Sequence, residues 1–562
     1  MALNQEYLIR NASVNKYALA LFFVALSLVF YVLSVQIRIG VPYWDVFNFL
    51  NNALYFAGMG NSGVGTSFLP PLIPLITSLF FRLGLVSATV IFAVSAGFLI
   101  AGVMGLYFLF NLRFSEVQSF TGSLIFLSLA VLMPWSASGG IDIPAVSLSI
   151  WAIYFLVKGM DNRPRLLYLL IPTLGLALLA RYTAGLILIP LVLYFFMKSP
   201  TLKQLKGILL GFLITLIASI PFIIYFYQKL SNFEVVYMLF VSTATGLTTG
   251  TGDVAYNTNP FYYVQHILNY ISMGPFQGAY VQLMNPSQGQ PSVVAYVMVI
   301  IVVIGLIFYL YQTLRTKVLE IKKQGLKYNS YIKLVLLTAI AIIFFITLNQ
   351  TSYLFSEVLL LALFYLIYIS LKGRGSEYLA LDLMFMSWFL AFLIFHSNLP
   401  IKVDRYFITM VPALAYFLIL GLTEFLTTTS LKIKKPTLKS KWVYIAIAMV
   451  FLLSTTVTYA GHTPKKIFVL YLEDSSNWIT EQDPQYREKV IISDYPNAMS
   501  WYMKKLVLGG FPRFFNTSGE FAQYLKSQNA DYYVDSLSNP KPDLNGYHPV
   551  KTFQMVTIYQ KN

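Results

Sequence analysis

The chain contains no cysteine, so a disulfide framework, a thiolate nucleophile and a thiolate-ligated metal are all closed to it. Histidine is almost as scarce. His266, His396, His462 and His548 are scattered and give no metal-ligand spacing. Charge is scarce as well, at 11% of 562 residues against 57% hydrophobic, a ratio that no water-soluble core absorbs. Acidic residues are the rarer charges, which leaves a formal net charge of +16. That balance would suit nucleic acid, but Lys and Arg fall in short segments between long apolar runs, as in a polytopic membrane protein, so no nucleic-acid partner is expected. There is no P-loop, no GxGxxG after a strand, no HExxH and no CxxC. A nucleotide-driven pump and a nucleotide-sugar enzyme are therefore disfavoured, and no metal or cofactor is expected.

What remains is apolar length. A helix needs roughly 20 apolar residues to cross the hydrocarbon. Runs at 17–35, 87–110, 117–134, 142–158, 166–180, 184–198, 207–227, 293–314, 331–349, 353–371, 379–397, 405–427 and 442–460 predict about 13 spans by that rule. The first run follows Arg10 and Lys16 and lacks a small-residue cleavage site, so it reads as a retained span. Phe68 to Gly84 is apolar but carries Pro70, Pro71 and Pro74, and counting it would turn the basic loops near 315–333 and 432–441 outward. It reads as juxtamembrane or re-entrant. Between 166 and 198 both flanks are basic, so the chain must turn back near Arg181-Tyr182-Thr183. With the N-terminus cytoplasmic, inner segments hold 22 of the 39 Lys and Arg, and this bias supports the orientation.

The expected organisation is a plasma-membrane, multi-pass domain over 1–460, with outer loops at 36–86 and 228–292. An extracytoplasmic α/β domain follows over 461–562. In that domain Lys489 to Ser493 and Asp531 to Val534 read as strands. Thr517 and Glu520 form a capping-box pattern for a helix through Leu525. Asn516-Thr517-Ser518 is a glycosylation sequon, a short pattern that is common by chance.

Few ionisable residues stand at the outer ends of spans. Asp45 follows the first, Asp142 begins the fourth, Arg181 sits at the turn, and Lys402, Asp404 and Arg405 precede the twelfth. Ionisable groups at a membrane edge usually serve a cavity or a substrate path. A carboxylate there can take a proton from an attacking hydroxyl, and an Arg or Lys can hold a departing phosphate. Each has a plainer reading. Trp44-Asp45 could be an aromatic-belt anchor with a helix cap. Asp142, two residues before Pro144, could be an N-cap. Arg181 could be the polar residue any turn needs, and Arg405 could snorkel or pair with Asp404. Asp253 and His266 read as solvated loop residues.

Four stretches resemble the membrane-embedded glycosyltransferases of the GT-C superfamily, in the branch of protein O-mannosyltransferases and of the aminoarabinose transferases that modify lipid A. The first is Asp45 with Asn52-Ala53, then Phe68-Leu69-Pro70-Pro71-Leu72 and Phe81-Arg82-Leu83-Gly84. The others are Gly140-Ile141-Asp142-Ile143-Pro144, Ala180-Arg181-Tyr182-Thr183-Ala184-Gly185, and Asp404-Arg405-Tyr406 leading into Val411-Pro412-Ala413-Leu414. The resemblance implies a GT-C-like bundle with Asp45 as catalytic base; Asp142, by its place at the outer start of the fourth span, is a second candidate catalytic carboxylate. It also implies a donor phosphate held by Arg405, with Arg181 as a further candidate; Lys402, at the same membrane edge, is a candidate by position alone. Two family features are missing. Asp45 is followed by Val46 instead of Glu, which argues against protein mannosylation, and no Trp-Trp-Asp run occurs in the tail, which argues against en bloc transfer to asparagine.

The expected activity is inverting transfer of a sugar from a polyprenyl-phosphate donor lipid to a glycan, lipid or protein acceptor at the outer face, among membrane lipids. Two alternatives stay open: a transporter or lipid flippase, and an inactive scaffold of the same fold. Transport needs polar mid-span positions, and those here are almost entirely apolar.

Overall fold

A computed structural model of the chain describes residues 15–60, 69–229, 257–324, 328–348, 350–372, 376–433, 440–462 and 468–562. Among the described residues nine helices are long and apolar enough to cross a membrane: Lys16–Ile39, Ala88–Phe110, Asp142–Asp161, Leu202–Pro221, Val293–Arg315, Tyr353–Leu371, Leu379–Asn398, Asp404–Leu431 and Lys441–Ala460. Shorter apolar helices lie at Leu72–Arg82, Pro164–Ala180, Tyr182–Lys198 and Tyr331–Thr347. The chain is a multi-pass integral membrane protein.

Among the described residues, nine of the about thirteen expected spans form these long helices. Runs 166–180, 184–198 and 331–349 form shorter helices. Run 117–134 departs most. Its helix, Glu116–Leu127, has only 12 residues, about 18 Å at 1.5 Å per residue. Beyond it the chain is irregular yet buried as far as Gly140. Irregular backbone is tolerated at membrane depth only where protein satisfies it. Here Ala130 and Val131 donate N–H bonds to Ile271 and Tyr270 carbonyls, both at 3.3 Å. Trp135 Nε1 reaches the Met284 carbonyl at 3.0 Å, and Tyr280 donates its hydroxyl to the Pro134 carbonyl at 2.7 Å. The proline-rich segment forms the 11-residue helix Leu72–Arg82, about 16 Å long and too short to cross.

The contacts divide the chain into two compact units. One comprises Met1–Phe30, Gly97–Ser136 and Ile141–Thr463; the other comprises Tyr31–Ala96, Ala137–Gly140 and Pro464–Asn562.

In the first unit, helices Val293–Gln324 and Val411–Ile433 pack closely where Gly305 meets Gly421. A methyl group on Gly305 would overlap the Gly421 carbonyl, and one on Gly421 would overlap the Val302 carbonyl. Between membrane helices, where water supplies no drive, such small residues let backbones approach and gain dispersion contacts. Arg113 forms a buried ion pair with Asp382, and Tyr416 and Tyr309 donate their hydroxyls to the same carboxylate.

The second unit carries a five-stranded sheet in the order β2-β1-β3-β5-β4. Its strands are β1 (Ile491–Ser493), β2 (Leu508–Gly509), β3 (Tyr532–Asp535), β4 (Tyr547–Phe553) and β5 (Val556–Lys561). The first three are parallel, β5 runs antiparallel to β3, and β4 pairs with β5. The α/β expectation for the tail agrees with this sheet, as do its two predicted strands. Thr517 caps helix Ser518–Ser527 by accepting the Glu520 N–H at 3.2 Å, while Glu520 reaches back to the Asn516 N–H at 3.0 Å. Phe521, Leu525, Ile492 and Tyr533 fill the core between this helix and the sheet.

Candidate active site

Three of the predicted polar residues gather in the first unit. Asp142 is the first residue of helix Asp142–Asp161 and is only 3% exposed. It forms an ion pair with Arg181, also buried. Arg181 stands where helix Leu170–Ala180 ends and the next 3-10 turn begins. Its extended backbone, φ −157° and ψ 121°, breaks the helical run. The Arg181 guanidinium lies 5.1 Å from the centre of the Tyr406 ring. Arg405 sits 5.8 Å from the same ring and 5.8 Å from Trp135. Tyr406 also stacks on His396, with centroids 5.0 Å apart and planes at 20°. Two cations therefore flank a single tyrosine, and one of them is paired with a buried carboxylate. Asp142 Oδ2 has no hydrogen-bond partner among the described residues. A small cavity beside Arg181 is lined by Ala145, Ser149, Ala184, Trp388, Phe392 and Thr409.

Asp404 serves a different purpose from its neighbour. Buried, it accepts the Tyr262 hydroxyl at 2.7 Å, the Tyr270 hydroxyl at 3.0 Å and the Ser287 N–H at 2.8 Å. Burial, and then the Asp404 charge, push both phenols above their usual value. Asp404 thus ties the 262–288 segment to the turn that presents Arg405. Lys402 closes the end of helix Leu379–Asn398. It donates to the His396 carbonyl at 3.1 Å, the Ser397 carbonyl at 2.8 Å and the Leu399 carbonyl. All three ammonium protons are thereby spent, and burial pushes the amine down to about 8. His266 makes a local contact with the Tyr262 carbonyl at 2.7 Å, and Asp253 lies outside the described residues.

Asp45 belongs to the second unit. It lies in the first turn of helix Trp44–Ala57, where the aligned peptide dipoles favour a carboxylate. It is half-buried. Trp44 packs on Tyr495 with centroids 4.1 Å apart. Asn48 and Asn52 follow Asp45 at i+3 and i+7, on one helix face. Both are buried, and their side-chain oxygens have no hydrogen-bond partner among the described residues.

Residues 69–225 match the family of dolichyl-phosphate-mannose-protein mannosyltransferases. The fold matches ArnT from Cupriavidus metallidurans bound to undecaprenyl phosphate, with a TM-score of 0.58 over 97% of this chain and 98% of that one at 12% identity. Apo ArnT from the same organism gives a TM-score of 0.56 over 96% and 97% at 13% identity. The chain thus carries a segment that matches that family, within a fold like that of ArnT. No curated protein sequence matches it. The matched family segment holds Asp142 and Arg181 but neither Asp45 nor Arg405.

Several of these partners are not marked in the sequence. Tyr406 was legible only as the third residue of Asp404-Arg405-Tyr406, and Trp135 and His396 read as ordinary span residues. Nothing in the sequence marked Tyr262, Tyr270 and Ser287 as partners of a carboxylate more than a hundred residues away. Glu357, in helix Tyr353–Leu371, is buried with neither carboxylate oxygen hydrogen-bonded among the described residues. Among the described residues, no three His, Asp or Glu gather as a metal would require.

Proposed function

We propose that this chain transfers one sugar, with inversion, from a polyprenyl-phosphate carrier to a hydroxyl acceptor at the outer face of the membrane. The observation that carries this reading is the likeness of almost the whole chain to ArnT, solved with undecaprenyl phosphate bound, joined to the mannosyltransferase family match over residues 69–225. The positive-inside bias supports a cytoplasmic N-terminus and an extracytoplasmic C-terminal domain.

The roles follow from the chemistry each group offers. Asp45 takes the proton as the acceptor oxygen bonds to the anomeric carbon. The bond from that carbon to the phosphate oxygen breaks, and the carrier leaves as a phosphate monoester with one more negative charge. Arg405 meets that charge with hydrogen-bonding N–H groups held between two aromatic rings. Asp142 holds Arg181 through one oxygen and offers the other to a sugar hydroxyl. Arg181 supports the phosphate side. Lys402, spent on three carbonyls, fixes the segment that carries Arg405.

The test uses purified protein in nanodiscs with a set of radiolabelled polyprenyl-phosphate sugars and membrane-derived acceptors. Asp45→Asn should lower transfer by about 100-fold or more while donor binding persists. Arg405→Ala should weaken donor binding. An Asp45→Asn protein that still transfers at the wild-type rate removes the mechanism. A wild-type protein that moves polyprenyl lipids across the bilayer without any transfer favours the flippase reading.

A further inference from the structure

The C-terminal domain ends its first strand at the residues that pack on the Asp45 helix. β1 stops at Ser493, Asp494 and Tyr495 follow, and helix Pro496–Met503 begins. This is the carboxyl edge of the three parallel strands, where α/β folds place their sites. Asp494 locks that edge: it accepts the Ser536 N–H at 2.8 Å, the Ser536 hydroxyl at 2.7 Å and the Leu537 N–H at 2.6 Å. The ends of β1 and β3 are thus fastened together, and Tyr495 projects from a rigid corner.

From that corner Tyr495 meets two residues of helix Trp44–Ala57. Its ring lies 4.1 Å from Trp44 and, edge-on, 6.1 Å from Phe47. The two helices are pinned further along, where Asn51 donates its side-chain amide to the Asn497 carbonyl at 2.8 Å and Phe47 meets Tyr502 at 5.6 Å. Tyr495 is buried, and its phenol is pushed above its usual value by burial and then by the charge of Asp45. Asp45 is the residue that follows Trp44, in the first turn of the same helix.

We propose that Tyr495 is a positioning residue for Asp45, its ring clamping Trp44 and its hydroxyl donating to the Asp45 carboxylate. This rests on the assignment of Asp45 as the base. It gives the C-terminal domain a part in the chemistry besides any role in meeting the acceptor. A donated hydrogen bond stabilises the ionised carboxylate and fixes its direction. Other ionisable groups near this contact in the unit are Asp494 on the same corner, and Tyr502, itself near Glu473 and Asp474.

The experiment measures the pH–rate profile of sugar transfer for wild type, Tyr495→Phe and Asp45→Asn in nanodiscs. Tyr495→Phe keeps the ring that packs on Trp44 and removes only the hydroxyl. Expected are a fall in kcat of about 10-fold, an unchanged KM for the donor lipid, and an acid limb moved to higher pH by about one unit. A 3,5-difluorotyrosine at 495 keeps the hydroxyl, donates more strongly, and should move the acid limb the opposite way. It also serves if the Phe variant folds poorly. Wild-type kcat and an unmoved acid limb in both variants overturn the proposal. If Asp45→Asn is inactive while Tyr495→Phe behaves as wild type, the positioning role alone fails. If Asp45→Asn is active, the base assignment fails and takes the positioning role with it.

Discussion

Removing either partner of the Asp142–Arg181 pair should cost far more than removing both. The two side chains are buried in the membrane domain and bonded to each other. Burying an ion is expensive, and its partner's attraction offsets that expense only while both are present. Deleting one member of such a pair typically destabilises by about 3–5 kcal/mol, whereas replacing both with apolar residues of similar volume is often close to neutral. Asp142→Leu and Arg181→Met should each therefore lose about 3–5 kcal/mol, and the double variant much less than their sum. The coupling between the sites should be about 3 kcal/mol or more. SDS-driven unfolding in mixed micelles gives the four stabilities the cycle requires. Transfer activity supplies a second readout: if Asp142 also binds a sugar hydroxyl, the double variant regains stability but not rate. Additive losses in the two single variants would show that the pair does not bear on folding as argued.

Two further outcomes follow from the membrane unit. Gly421→Leu should sharply lower the yield of folded protein, because its side chain meets the Val302 backbone, where overpacking costs about 1–3 kcal/mol or more. Gly97→Leu, with nothing near its would-be Cβ, is the matched control, and detergent size-exclusion profiles of equal quality for both would refute the close crossing. Lys402 gives a pH signature. The unfolded chain keeps that proton to 10.5 and the folded one releases it near 8, so the burial penalty is full below pH 8 and relieved on rising to 10.5. Wild type should gain stability over that window relative to Lys402→Met, and a pH-independent difference between them would contradict it.

Much was legible along the chain because it depends on local composition. Apolar length identifies most spans whatever packs against them, since hydrocarbon must be met by apolar side chains. Charge bias suggested an orientation, and Thr517 with Glu520 announced a helix start that the structure forms. The same local signals mislead where length and helix part company. Run 117–134 is apolar enough for a span, yet its second half is irregular because Ile271 and Tyr270 supply the backbone partners a helix would otherwise give itself. Helix Trp44–Ala57 was read as loop because its polar Asn residues mask the apolar face that it buries.

The sequence by itself determined that this is a membrane chain with a watery α/β tail and a few ionisable groups at span ends. Only tertiary structure decided what those groups touch. Asp142 and Arg181 stand 39 positions apart and form a pair, Asp404 is claimed by two tyrosines and a backbone N–H, and Lys402 is consumed by carbonyls. The reason is physical. Composition sets the solvent a segment must face, a property each residue carries alone, whereas a buried charge is defined by its partner, and the partner is chosen by the fold.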